Sequence, residues 1–190
     1  MRNKQILSLT LGTFMVLGLM ILAFGGNLTN SQEMNSGHIQ YNAMVCPTID
    51  RADGSIEVLD CTKNTLTNAG AELISDYIAE GSSGSAVDYI ALSDASGEVG
   101  ASAVGSTTLD NEWATNGLER SQGTFGDNGV GNWSIWETFT ASADDMTTNK
   151  TGIFNASSTG TLFAENTFTL ATLQTSDQIT INWTIFVTEA

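Results

Sequence analysis

The strictest pattern in the sequence lies near its end, where apolar and polar residues alternate over residues 178–188. The apolar side holds Ile179, Ile181, Trp183, Ile185 and Val187, and the polar side holds Thr180, Asn182, Thr184 and Thr188. Successive side chains of a β-strand point to opposite faces, so this alternation predicts a half-buried strand. A second layer of structure must cover its apolar side.

Shorter strand patterns occur at residues 38–46, 55–62, 87–93, 133–140, 151–154 and 161–168, separated by turns rich in Gly, Asn and Ser. One segment has helical spacing instead, with Leu66, Leu73 and Ile78 on a common face. It predicts a helix at about 67–80, capped by Thr67 or Asn68. We therefore predict a mainly β fold, a single antiparallel β-sandwich of jelly-roll-like type with one inserted α-helix.

The N-terminal residues predict export. Arg2 and Lys4 precede an uncharged, apolar run at residues 6–24. This order is typical of a secretory signal peptide, and the run is also long enough to span a bilayer as a helix. A pilin-type signal cut before the run is a third possibility. The expected organisation is a signal peptide or membrane anchor at 1–26, a flexible leader at 27–37 and a β-sandwich domain at 38–190, with membrane contact only through residues 6–24 if they are retained.

The charge balance excludes one class of partner. The chain has 21 acidic and 6 basic residues, a formal net charge of −15 at pH 7. Such a surface repels nucleic acid, so no nucleic-acid function is expected. Charged residues make up only 14% of the chain, and Gly, Ser, Thr and Asn are abundant. This composition favours an extracellular or cell-surface protein over a cytosolic enzyme.

The two cysteines, Cys46 and Cys61, flank the turn-forming dipeptide Asp53-Gly54. A two-residue type I′ hairpin centred there places residue 46 opposite residue 61, at a separation that a disulfide accepts. In an exported protein we expect the Cys46–Cys61 bridge to form. Two free buried thiols are the alternative if the export prediction is wrong.

No catalytic constellation is visible, so we expect that the protein is not an enzyme. Its single histidine, His38, lies at the start of a predicted strand. Oxygen-rich turns predict a calcium site instead, because Ca²⁺ prefers carboxylate and carbonyl ligands. The candidate ligands are Asp94, Glu98, Asp144 and Asp145. No other cofactor is expected.

Glycosylation sequons of the type N-x-S/T begin at Asn27, Asn132, Asn149, Asn155 and Asn182. A chain so rich in Asn, Ser and Thr forms some of these by chance. Asn149 and Asn155 fall in predicted loops and are the strongest candidates for modification.

Five segments, read in order, resemble a known type of module. They are LTNAG (66–70), DYIALSD (88–94), residues 118–120, TGIFNASSTGTLFAENTF (151–168) and ITINWTIFV (179–187). The order is similar to that of bacteriophage tail-fibre or tail-tip modules and of small secreted archaeal surface or filament proteins, over about residues 64–188. The resemblance implies a non-enzymatic structural β-domain that acts by assembly or adhesion.

These observations predict an exported structural subunit of an extracellular filament, tubule or surface coat that self-assembles with identical subunits. Pro47 cannot donate to a strand ladder, so the first strand is expected at a sheet edge. Residues 27–45 are the candidate segment for β-strand addition to a neighbour. The alternative is an adhesin-like or tail-tip module that recognises a glycan or cell surface through Trp113, Trp133 and Trp136.

Overall fold

Strands dominate the part of the chain that the computed structural model describes, residues 39–80 and 84–189. The strands are β1 (Ile39–Asp50), β2 (Ile56–Val58), β3 (Thr62–Lys63), β4 (Thr65–Leu66), β5 (Tyr89–Leu92), β6 (Ser121–Gln122), β7 (Thr124–Gly129), β8 (Asn132–Thr140), β9 (Met146–Phe154), β10 (Leu162–Leu173) and β11 (Gln178–Glu189). Helix α1 spans Asn68–Ser75 and is followed by a π-helical turn, Asp76–Glu80. The predicted mainly β fold with one inserted helix is confirmed.

The strands form two antiparallel sheets. Sheet A has the order β2-β1-β11-β8-β7, with β3 also paired to β1, and sheet B has the order β4-β10-β9-β5-β6. The longest pairing joins β1 to β11, from Ile39 opposite Glu189 to Asp50 opposite Gln178. Residues 39–50 therefore complete the sheet of their own chain. The jelly-roll-like topology stays a prediction.

The inward sides of both sheets share one apolar core. Trp183 and Ile181 of β11 are fully buried in it, together with Val45 of β1 and with Ile90 and Ile153 from sheet B. The alternation predicted for residues 178–188 is confirmed, because residues 179, 181, 183 and 185 are buried and the positions between them are not.

The hairpin after β1 contains the predicted disulfide, although its turn differs from the predicted one. The Arg51 carbonyl accepts from Gly54 N, and Gly54 has a φ of +86°. This is a three-residue loop with a glycine bulge and not a two-residue type I′ turn. An irregularity between β2 and β3 shifts the pairing by one residue, so Cys46 faces Cys61 and the bridge forms with a Cα–Cα distance of 4.2 Å. A disulfide is consistent with an oxidising, extracellular environment.

The edge expected at Pro47 is present only locally. β11 pairs with β1 along its whole length, whereas β2 and β3 pair with its other side at residues 48–50 and 44–45. Pro47 lies in the gap between these two short pairings, where its missing N–H leaves no ladder bond unmade. Its carbonyl accepts from Leu59 N at 3.0 Å.

The long segment between β5 and β6 covers the outer side of sheet B. Leu109 from this segment packs on Phe154 and Leu162 in a second, smaller apolar cluster. Beside it, Lys150 of β9 is buried and lies 3.0 Å from both Glu165 and Asp110. Glu165 Oε1 also accepts from Ala103 N and Ser106 Oγ, so buried charges hold the segment on the sheet.

Helix α1 begins and packs as its sequence requires. Thr67 is the N-cap, and its hydroxyl accepts from Gly70 N at 2.9 Å. Gly70 is buried against the backbone of β10, where an added Cβ would lie 2.0 Å from the Phe163 carbonyl oxygen. Within the described residues, no helix has the length and apolar character needed to span a membrane. The predicted segments 1–26 and 27–37 and residue His38 lie outside those residues.

Candidate functional site

An apolar groove of about 770 Å³ lies at one end of the described domain. It lies between the inward side of sheet A, helix α1 with its π-helical turn, and residues 86–88. Its lining includes Tyr41, Leu66, Ala71, Ile74, Tyr77, Ile78, Val87, Phe125, Trp133, Ile135, Phe163, Ile185 and Val187. We call it the α1 groove.

The α1 groove exists because sheet A is incompletely covered at this end. Tyr41 and Val187 are opposite each other on β1 and β11, close to where β1 begins. They belong to the inward-facing set of sheet A, yet Val187 is 36% exposed, and Phe125 on β7 is 63% exposed. Ile78 of the π-helical turn is 77% exposed on the opposite wall. Apolar side chains of two walls therefore face a space that the described residues leave unfilled.

Few polar groups line this space. Asn64 Nδ2 donates to the Tyr41 hydroxyl at 2.8 Å. Burial raises the pKa of Tyr41 to about 12 against the smaller opposing effect of the Asn64 hydrogen bond, so the phenol is neutral. The Tyr77 hydroxyl donates to the Ser85 carbonyl, and Asp88 accepts from Gln122 Nε2. These polar groups are already paired, so the groove is suited to an apolar occupant.

The structure separates the three tryptophans that the sequence suggested as one aromatic platform. Trp133 points inward and lines the α1 groove. Trp113 is half-buried, and its Nε1 donates to the Thr147 carbonyl at 3.2 Å. Trp136 points outward from sheet A, is 36% exposed, and lies across Gly126, whose added Cβ would meet the ring at 2.7 Å. Because Trp133 and Trp136 lie on opposite faces of β8, the three side chains do not form a joint platform.

Three of the residues predicted as calcium ligands accept hydrogen bonds through their carboxylates, and the fourth, Glu98, accepts one through its backbone carbonyl. Asp94 Oδ1 caps a turn by accepting from Ser96 N, and the Glu98 carbonyl accepts from Asn111 Nδ2. Asp144 Oδ1 accepts from Thr175 N and Oγ1, which lowers the pKa of Asp144. Asp145 accepts from Gln174 Nε2. In the described ranges, no group of three or more His, Cys, Asp or Glu residues is placed to hold a metal ion, and calcium binding stays a prediction.

The candidate glycosylation sites lie in different surroundings. Asn155 follows β9, as expected, and its Oδ1 accepts from Thr161 N. Asn149 lies inside β9 and not in a loop, because the strand begins earlier, at Met146. The hydroxyl-bearing residue of its sequon, Thr151, is fully buried. Asn132 and Asn182 are half-buried on the outward side of sheet A.

Besides the Lys150 cluster, two further ionic clusters were not recognised in the sequence. Arg120 donates to both carboxylate oxygens of Glu112 and to the Ala156 and Thr159 carbonyls, and its guanidinium lies 3.5 Å from the centre of the Phe154 ring. Asp177 is buried and pairs with Arg51 at 2.9 Å. In both clusters the arginine donates its hydrogen bonds to carboxylates and carbonyls of the same chain. These bonds hold loops in place and leave neither guanidinium free for a substrate.

The described part of the chain is thus a mainly β domain of two antiparallel sheets with an unfilled apolar groove beside the start of its first strand. Comparison with models of protein families, with curated proteins and with solved structures finds no match.

Proposed function

We propose that this protein is an exported, non-enzymatic structural subunit of an extracellular filament, tubule or surface coat, in which the α1 groove of one subunit accepts residues 27–38 of the next. The N-terminal export signal, the neutral polar composition and the disulfide support the location. The resemblance to archaeal surface proteins and phage tail modules supports the structural role, and the many short strands separated by turns support a jelly-roll-like sandwich.

The observation that carries this proposal is the exposure of apolar side chains on both walls of the α1 groove. Ile78 and Phe125 remain 77% and 63% exposed. Burying an aliphatic or aromatic side chain contributes about 1.5–3 kcal/mol, so an occupant that covers these two residues gains binding energy at once.

The position of β1 suggests which segment is donated. Residues 39–50 are held by their own sheet, so the candidate donor narrows from residues 27–45 to residues 27–38. Leu28 and Met34 are the apolar side chains in this stretch of polar residues. Alternate residues of an added strand point the same way, and positions 28 and 34 share one side, as the groove requires.

Electron microscopy and sedimentation of the exported chain test the proposal. Wild type should form elongated assemblies, and Ile78→Glu should abolish them, because it places a charge on an apolar wall at a site exposed enough to leave folding unchanged. Leu170→Glu is the matched control, since Leu170 is 55% exposed on β10 away from the groove. Deletion of residues 27–37 should have the same effect as Ile78→Glu. Monomers of wild type under all conditions, or assembly that tolerates both changes, would refute it.

A further inference from the structure

The outward side of sheet A is almost free of charge in a strongly acidic protein. Within the described residues, no charged side chain occupies an outward position of β7, β8 or β11, where Thr, Asn, Ser and Gln predominate. Asp50, at the end of β1, and Lys63, on the short strand β3, lie at its margin. We call this surface the neutral face.

Apolar side chains are exposed on the neutral face as well. Ile56 and Val58 of β2 are 68% and 72% exposed, and they lie opposite Asp50 and Thr48 of β1, on the outward side. Met44 and Trp136 are 37% and 36% exposed on the same side. Depletion of charge together with exposed aromatic, Met and aliphatic residues is the composition of a protein–protein interface core.

We propose that a second copy of this chain covers the neutral face, so that two subunits pack sheet against sheet. This contact is separate from the α1 groove, which lies on the inward side of sheet A, and it does not depend on strand addition. Stacked sheets pack about 10 Å apart through interdigitated side chains. A face without charge suits an identical face, because neither partner then buries an unpaired ion.

Electrostatics and size both favour a second copy as the occupant. Two chains that each carry a net charge of −15 repel one another least across the surface that holds none of that charge. The neutral face is about 19 Å wide across its five strands and about 34 Å long along them. Its area is therefore roughly 600 Å². Two such faces would bury about 1,200 Å² in total, which is at the lower end of the range for specific protein–protein interfaces. A neutral glycan stacked on Trp136 would leave Ile56 and Val58 uncovered, which disfavours that occupant.

The proposal has a consequence for modification of the chain. Asn182 lies at the centre of the neutral face, opposite Cys46 on one side and Trp136 on the other. A glycan at Asn182 would separate the two sheets. The predicted modification of this sequon and the paired state therefore exclude each other, and intact-mass analysis of the paired protein should find Asn182 unmodified.

Sedimentation velocity of the exported chain with Ile78→Glu, which removes the groove contact, tests the pairing alone. A dimer is expected whose dissociation constant falls as salt screens the like charges. Adding Thr138→Glu, on the outward side of β8, should raise that constant at least tenfold, whereas Thr169→Glu, at an exposed position of β10, adds the same charge elsewhere and should not. Val58→Glu provides a second variant on another strand if Thr138→Glu fails to fold.

Monomers at every salt concentration would overturn the inference, as would a dimer that is indifferent to both Thr138→Glu and Val58→Glu. If the protein does not self-associate but binds neutral glycans on an array, and this binding requires Trp136, the occupant of the neutral face is a glycan. Filament formation is tested through Ile78 and sheet-to-sheet pairing through Thr138. Failure of one proposal therefore does not prevent the test of the other.

Discussion

Gly70 shows how one residue decides the position of the helix. Alanine normally stabilises a helix interior by about 1 kcal/mol relative to glycine. At this site an added Cβ would lie 2.0 Å from the Phe163 carbonyl oxygen, which belongs to the backbone of β10 and cannot rotate away. The close approach of α1 to sheet B therefore requires glycine.

We predict that Gly70→Ala lowers the free energy of unfolding by about 1–3 kcal/mol through overpacking, in spite of the gain in helix propensity. Chemical denaturation followed by circular dichroism measures the change. Glu72→Ala, at an exposed position of the same helix, is the control and should stay within about 0.5 kcal/mol of wild type. A Gly70→Ala protein as stable as wild type would show that α1 can move outward at no cost.

At the scale of elements, the long segment between β5 and β6 depends on the charges beneath it. Lys150 and Glu165 are both fully buried, and each is the other's ionic partner at 3.0 Å. Asp110 and the backbone of Ala103 attach the covering segment to this pair. Removing the ammonium leaves the Glu165 carboxylate buried beside another acid.

Lys150→Met should therefore destabilise the protein by about 3–5 kcal/mol. Limited proteolysis should show faster cleavage within residues 95–111, and denaturant unfolding gives the energy. The double variant Lys150→Met with Glu165→Gln removes both charges and should recover a large part of the loss. Equal instability of the single and double variants would mean that packing, not charge, holds the segment.

Strands in which apolar and polar residues alternate could be predicted from the sequence. Strands with buried polar residues could not. β11 and β8 were located because one side of each is apolar. The first half of β9 was missed because Thr148 and Lys150 are polar yet buried, and a hydropathy pattern contains no information on the partners that make such burial possible. The α1 groove was missed for a related reason, since Tyr41, Ile78 and Phe125 meet only through the packing of distant elements.

For the whole molecule, Asp177 contributes to the acid sensitivity of the fold, because it joins the β1–β2 loop to the turn before β11. Burial raises the pKa of this carboxyl, but hydrogen bonds from Gln174 N, Ala52 N and the Arg51 guanidinium outweigh burial and lower it below its usual value. A depressed folded-state pKa stabilises the fold above the unfolded-state value of about 3.9, and the contribution is lost as pH falls through the folded-state pKa.

We expect the thermal midpoint of wild type to fall as the pH is lowered from about 5 to below 3. Asp177→Asn should be less stable than wild type at pH 7, and its thermal midpoint should depend less on pH in the acid range. Scanning calorimetry across this range measures both. Glu98→Gln, which neutralises an exposed carboxylate, is the control for general charge effects. If the thermal midpoints of wild type and Asp177→Asn fall equally with pH in the acid range, the proposed role of Asp177 is wrong.

The bridge between Cys46 and Cys61 has a mechanical consequence for a chain that is pulled at its N-terminus. Tension entering at Ile39 can peel residues 39–45 from β11, but at Cys46 the load passes across the disulfide to β3 and so towards α1. Residues 47–60, which lie between the two cysteines, never become part of the stretched length. Unfolding under force therefore lengthens the oxidised chain less than the reduced chain, because the loop between the cysteines adds no length.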